Sequence, residues 1–210
     1  MNKSTVINRI KLRLGSREDT DLNALIESEL AQAQWEQEQS PEPYWFLLTE
    51  SARAVTVLGE QRISLPTDFL LEVESNALWM EYQGETKDLE KVEFDEAQRY
   101  FGTTPGMPKG YSLDGLYFNI WPVPDGVYDI WMKYYGADTD ITTLSDTETN
   151  KWLTYASDLL MGMAGLRVAM YIKDKEASDV FGAEVQRAQT RLSTLNTVRA
   201  EINMSRSRGF

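Results

Sequence analysis

The chain has 210 residues, 42% of them hydrophobic, a formal net charge of −12, and neither Cys nor His. That composition excludes a disulfide framework, thiolate or imidazole metal sites, and Ser-His or Cys-His nucleophile pairs. The charge is uneven: Lys3, Arg9, Lys11, Arg13 and Arg17 stand among the first 17 residues without an acid, and five Arg against Glu201 fill 186–210, leaving −21 for the middle.

In chain order, the opening MNKSTVINRIKLRLG spaces its charges and lacks the unbroken apolar run of a secretory leader, so synthesis in the cytoplasm is expected. Val6, Ile7, Ile10 and Leu14 predict a helix with Gly15 at its C-cap. A second helix is predicted from Asp19 or Thr20 as N-cap, with Leu22, Leu25, Ile26, Leu30 and Ala33 as its apolar stripe and Gln32 to Gln39 as an exposed face. The prolines of SPEP end it. From Tyr44 the pattern turns to β: YWFLLTESARAVTVL before a turn at Gly59, RISLP, and a hairpin around Gln83-Gly84. FDEAQRYF predicts a short helix that stops at Gly102, and Asp114-Gly115 a further hairpin. Pro124-Asp125-Gly126 is read as a turn joining LYFNIW to a return strand, VYDIWMKYYG. Ser145 or Asp146 is expected to cap the next helix.

Leu159 to Ile172 is apolar nearly all round, yet shorter than the roughly 20 residues of a membrane span and interrupted by Arg167, so no membrane contact is expected. Such a helix must be covered on every side, and Gly162, Ala164, Gly165 and Ala169 allow close approach. The last helix, near Lys175 to Met204, repeats Phe181, Val185, Ala188, Leu192, Leu195 and Ile202 at coiled-coil spacing. The fold class read from this order is α+β. A helical-bundle lobe from residues 1–43 and 137–204 carries an inserted antiparallel β-rich lobe at 44–136, and a C-terminal tail occupies 205–210.

Chemistry-bearing patterns are weak. Asp138, Asp140, Asp146 and Glu148 could hold a hard cation or act as an acid–base pair, but their spacing lacks the Gly and terminal Glu of a calcium loop, and helix caps or solvated charge are the favoured reading. GTTPGMPKG lacks the Gly-Lys-Ser/Thr ending of a phosphate loop. No catalytic residue, cofactor or metal is expected. Arg167 needs an acceptor or an interface. In the aromatic stretch Tyr117–Gly136, alternation sends Phe118, Ile120, Tyr128, Ile130, Met132 and Tyr134 to the core. The opposite face, with Tyr117, Asn119, Trp121, Val127, Asp129, Trp131, Lys133 and Tyr135, is either a sugar-stacking platform or a protein interface; its composition favours the interface.

One ordered set of segments carries a resemblance: INRIKLRLGSREDTDLNALIESELAQAQWE, PYWFLLTE, RISLPTDFL, GMPKGYSLDGLYFNIWPVPDGVYDIWMKYYG, a helix opened by LSD, and YIKDKEASDVFGAEVQRAQTRL. Together they resemble the head-to-tail adaptor, or connector, proteins of tailed bacteriophages, the tail tubular protein A-like group. The resemblance implies a structural virion protein with no enzymatic activity. Its copies form a homo-oligomeric, typically dodecameric ring that joins the portal protein to the tail nozzle, and DNA passes through the channel. An acidic body suits that passage, because a negative wall does not trap phosphates. In this setting Arg206, Arg208 and Phe210 are expected to dock on the portal, and Trp121, Trp131, Tyr135 and Arg167 to serve the subunit or tail interface. Sister subunits are expected to cover the apolar helix from Gly162 to Ile172. The alternatives are another neck component, a head-completion or nozzle protein, and more remotely a carbohydrate-binding β module.

Overall fold

Apolar residues at helical spacing set the first element. α1 (Lys3–Arg13) buries Val6, Ile7 and Ile10, its Asn2 cap accepts from the Thr5 N–H at 3.0 Å, and Leu14 closes it before Gly15 takes φ +80°. The computed structural model describes residues 1–16, 20–74 and 77–207, with side chains at the C-terminal end described up to Arg199. Asp19, one of the two expected caps of the next helix, lies outside the described residues; Thr20, the other, is already the first residue of α2 (Thr20–Glu38). The chain divides into two compact units, Met1–Leu47 with Ala137–Phe210, and Leu48–Gly136.

The helical unit is organised around one helix. α4 (Lys151–Tyr155) leads into α5 (Ser157–Tyr171), whose Leu159, Leu160, Met161, Gly162, Ala164, Gly165, Val168 and Ala169 are buried. They pack against α1, α2 and α6 (Lys175–Ser207) of the same chain. Cover by sister subunits, expected from the sequence, is therefore not required over this stretch; only its last turn, Met170 and Tyr171, is exposed. Small residues make the fit possible. A Cβ on Gly162 would stand 3.0 Å from Val185, and one on Gly165 would run into the Phe181 ring. The cap of α4 is Asn150, which accepts from the Leu153 N–H at 2.9 Å, in place of the expected Ser145 or Asp146. Glu148 takes the Ser145 N–H instead, so those residues close a turn ahead of the helix. α6 runs on through Ser207, so residues 205–207 of the expected tail are helical.

The β unit is a two-layer sandwich. Its five-stranded sheet runs β1 (Leu48–Val55), β9 (Asp129–Gly136), β4 (Leu78–Tyr82), β5 (Glu85–Asp88), with β3 (Phe69–Glu72) also paired to β9. The four-stranded sheet runs β2 (Arg62–Ser64), β8 (Tyr117–Trp121), β7 (Gly110–Asp114), β6 (Glu90–Lys91); all pairs are antiparallel except β6 with β7. Residues 45–47, expected to open the first strand, instead form a 3-10 turn in the helical unit. β4 and β5 form the expected hairpin, with Gln83 at φ +55° and Gly84 at φ +81°, the two left-handed residues that a tight primed turn demands.

One strand pairing differs from the sequence reading. LYFNIW and VYDIWMKYYG are not two arms of a hairpin: β8 and β9 belong to different sheets. Pro122 and Pro124 have no N–H to continue a ladder, and the segment between the strands is bonded elsewhere, Val123 to Gly106 and Pro124 to Gly59 through their carbonyls. The strands face each other across the core, where Phe118 and Ile120 meet Ile130, Met132 and Tyr134. Phe118, Ile120, Ile130, Met132 and Tyr134 face inward as the alternation predicts, while Tyr128, just ahead of β9, is only partly buried and its hydroxyl donates to Asp125; the two strands do not pair.

The close approach of α5 to α6 yields a direct test. Gly165→Ala forces the Phe181 ring aside and is expected to destabilise the protein by about 1–3 kcal/mol. Gly182→Ala, where an added Cβ meets nothing within 4 Å, is expected to stabilise by roughly 0.5–1 kcal/mol through helix propensity. Urea unfolding midpoints of the two variants check both signs.

Candidate interaction surfaces

Because β8 and β9 lie in different sheets, the aromatic face expected from the sequence is split between the two sides of the sandwich. On one side, Trp121 is 3% exposed. It is covered by α3 (Phe94–Phe101), with Phe94 edge-on at 5.6 Å, and its indole N–H donates to Ser112 Oγ at 3.0 Å. Asn119 beside it is buried as well. Trp121 is thus core within its own chain and offers nothing to a partner. No continuous sugar platform joins it to Trp131.

The other side holds the outer face of the five-stranded sheet. Its registers align three rows: Leu48, Tyr135 and Leu71; Arg53, Trp131, Trp79 and Asp88; Val55, Asp129, Glu81 and Thr86. Cross-strand partners share a face, so each row is a line of neighbouring positions on that face. Arg53, opposite Trp131 in the register, is held by Asp129 at 2.7 Å. Trp131, Lys133 and Tyr135 are half-buried, while Val55 and Leu71 are exposed. The Trp131 indole N–H is buried without a hydrogen-bond partner among the described residues. Burial, with the nearby Glu74 charge, raises the Tyr135 hydroxyl above its ordinary value. α3 packs on β7 and β8 of the other sheet. The Trp79 side of this face was missed in the sequence: its alternation with Leu78 and Met80 is visible, but its place opposite Trp131 depends on a pairing about fifty residues away in the chain.

The remaining expected residues lie in the helical unit. Arg167 is half-buried and bridges α5 to α2 by donating to Glu36 and, at 3.5 Å, to Glu29. Its partners are therefore in its own chain. The Glu36 carboxyl is held below its ordinary value by its bond from Gln32 and by Arg167, against a smaller opposing effect of burial. Arg206 stands on the last turns of α6; Arg208 and Phe210 lie outside the described residues. Upstream of them the Arg199 guanidinium lies 3.6 Å over the Trp45 ring, and the Asn196 side chain accepts from the Trp45 N–H at 3.1 Å. The basic N-terminus is partly engaged: Lys3 is buried on Glu27 at 3.2 Å and on the Leu144 carbonyl, and Arg13 pairs with Glu184.

The loop acids act as caps. Asp138 accepts from the Lys151 and Trp152 N–H groups at the start of α4, and Asp140 from the Thr142 N–H at 2.8 Å. Among the described residues no group of acids is placed to hold a metal ion. The Gln/Glu-rich end of α2, expected to be exposed, is instead half inside. Gln34 is 3% exposed, and Glu38 accepts from Gln34, from the Asp138 N–H and, at 2.7 Å, from the Trp152 indole. Burial pushes the Glu38 carboxyl up, with the Asp138 charge adding to it, against the lowering effect of those three donors.

Surfaces of this kind, rich in Trp, Tyr and Arg, belong to proteins that work by contact with other proteins. The chain matches the SU10 adaptor protein family over residues 1–208 and belongs to it. It is an adaptor-type structural protein of a bacteriophage, a component of the virion neck. No curated protein matches it. Among the described residues no helix is long and apolar enough to cross a membrane.

Glu38 ties α2 to α4, and two substitutions separate its charge from its acceptor role. A raised carboxyl pKa in the fold means that protonation favours folding, so this contribution is present below the unfolded pKa and lost as pH rises through the folded one. Glu38→Gln keeps an acceptor and removes the charge; at neutral pH it is expected to be at least as stable as the parent, with a flatter stability–pH profile. Glu38→Ala leaves the Trp152 indole unpartnered and is expected to cost about 1–3 kcal/mol. Denaturant titrations between pH 5 and 8 check both.

Proposed function

We propose that the chain assembles into a homo-oligomeric ring, dodecameric as in the adaptors it resembles, that joins the portal protein to the tail nozzle. The copies are made in the host cytoplasm, and DNA crosses the channel without sequence-specific binding. The match to the SU10 adaptor family across residues 1–208 carries this reading. The charge distribution supports it, since a middle of −21 does not retain passing phosphates. So does the outer face of the five-stranded sheet, where Trp131 and Tyr135, now joined by Trp79 and Arg53, form the subunit or tail interface. Trp121 and Arg167 drop out, being engaged within the chain. Portal docking falls to Arg206, Arg208 and Phe210, two cations for acidic or carbonyl partners and one aromatic anchor.

Negative-stain imaging of the purified chain with the portal of the same particle tests the reading. A ring added to one end of the portal is expected, and its absence at both low and moderate salt would overturn the adaptor position. Deleting Ser205 to Phe210 is expected to abolish portal binding; unchanged binding would remove the docking role of the three tail residues.

A further inference from the structure

Two surfaces of the helical unit are open in the same chain, so neither covers the other. The first is a shallow groove of about 480 Å³ along α2, lined by Ala24, Ala31 and Trp35 together with Asp140 and with Glu27, which already pairs with Lys3. Trp35 is 57% exposed there, an unusual position for an indole in a run of Gln and Glu. α2 itself carries five acids and no base.

The second surface is the face of α6 that holds Arg187, Arg191, Leu195 and Val198 at helical spacing. Leu195 and Val198 are 37% and 44% exposed, and beyond Leu192 no apolar residue of α6 is buried among the described residues. Next to this row, Arg199 (one turn beyond Leu195) and Asn196 hold the chain's own Pro43–Trp45 segment, which bounds the open face on that side. Residues 186–199 carry three Arg and no acid. Arg191 is paired with Asp158 yet half exposed, and Arg187 is exposed.

The two surfaces are complementary in charge and each carries exposed apolar side chains: one sets the Trp35 indole beside Glu27 and Asp140, the other sets Leu195 and Val198 beside Arg187 and Arg191. We propose that the Arg187–Val198 face of α6 of one copy lies in the α2 groove of a second copy, with Leu195 and Val198 against Trp35 and the arginines beside Glu27 and Asp140. The contact joins unlike surfaces, so each copy keeps one of each free for the next, the head-to-tail arrangement that makes a ring when the rotation between copies closes and a filament when it does not. It rests on the ring reading above and specifies the helices that make the ring.

The absence of Cys from the chain allows a test that reads only contacts between copies. Two full-length single-cysteine chains, Ser28→Cys and Leu195→Cys, are mixed and treated with a short bis-maleimide. Covalent pairs are expected in the mixture, scarce in either chain alone, weakened by added salt, and lost when Trp35→Glu is added to the Ser28→Cys chain. No pairing in the mixture overturns the proposal. Pairing of Ser28→Cys chains with one another also overturns it, because two α2 faces would then be meeting. Imaging of the same chains on the portal keeps the two ideas apart. A ring without cross-links sinks only the α6–α2 contact; cross-links without a ring on the portal sink only the adaptor position.

Discussion

Covering α5 is the constraint on which the helical unit depends. Eight of its residues are buried, and no single neighbour can cover a helix that is apolar on nearly every side. α1 and α2 arrive from one end of the sequence and α6 from the other. The β unit is therefore carried as an insert between the two halves of one core, leaving after Leu47 and returning at Ala137. Gly162 and Gly165 set how near α6 can come, with Phe181 and Val185 filling the space that larger residues would occupy. Arg167, the one charge in the apolar stretch, anchors the opposite side of α5 to the acids of α2.

A second constraint comes from two prolines. By breaking the ladder after Trp121, they send the chain from one sheet to the other and turn an apparent hairpin into two walls of a sandwich. The consequence reaches function. Aromatics adjacent in sequence end on opposite sides, one set closed over by α3 and the other lined up with Trp79 and Arg53 on the outer face of the five-stranded sheet.

Much of this was legible in the sequence, and the rest was hidden for physical reasons. The stripes of α1 and α2, the Gln83-Gly84 turn and the short helix ending at Gly102 are local, and local periodicity and turn chemistry reported them. The stripe expected on α6 is buried at Phe181, Ala188 and Leu192 but exposed at Leu195, and the side chain of Ile202 lies outside the described residues. Inward alternation named Phe118, Ile120, Ile130, Met132 and Tyr134 as core for the same reason. Pairing is not local, so the separation of β8 from β9 and the alignment of Trp79 with Trp131 could not be read. Polar residues misled in another way. Gln34, Glu38 and Asn150 resemble a solvated surface in sequence, but together they form a buried network whose members satisfy one another. A single chain also gives no sign that Trp121 would be covered from within its own unit.

Hydrogen exchange of the chain, free and bound to its portal, bears most directly on its role as an adaptor. Slowed exchange on binding is expected at the C-terminal end of α6. The α5 core should be unchanged, since it is already covered in the free chain. Protection confined to the β unit, with α6 exchanging as in the free protein, would contradict the adaptor arrangement described here.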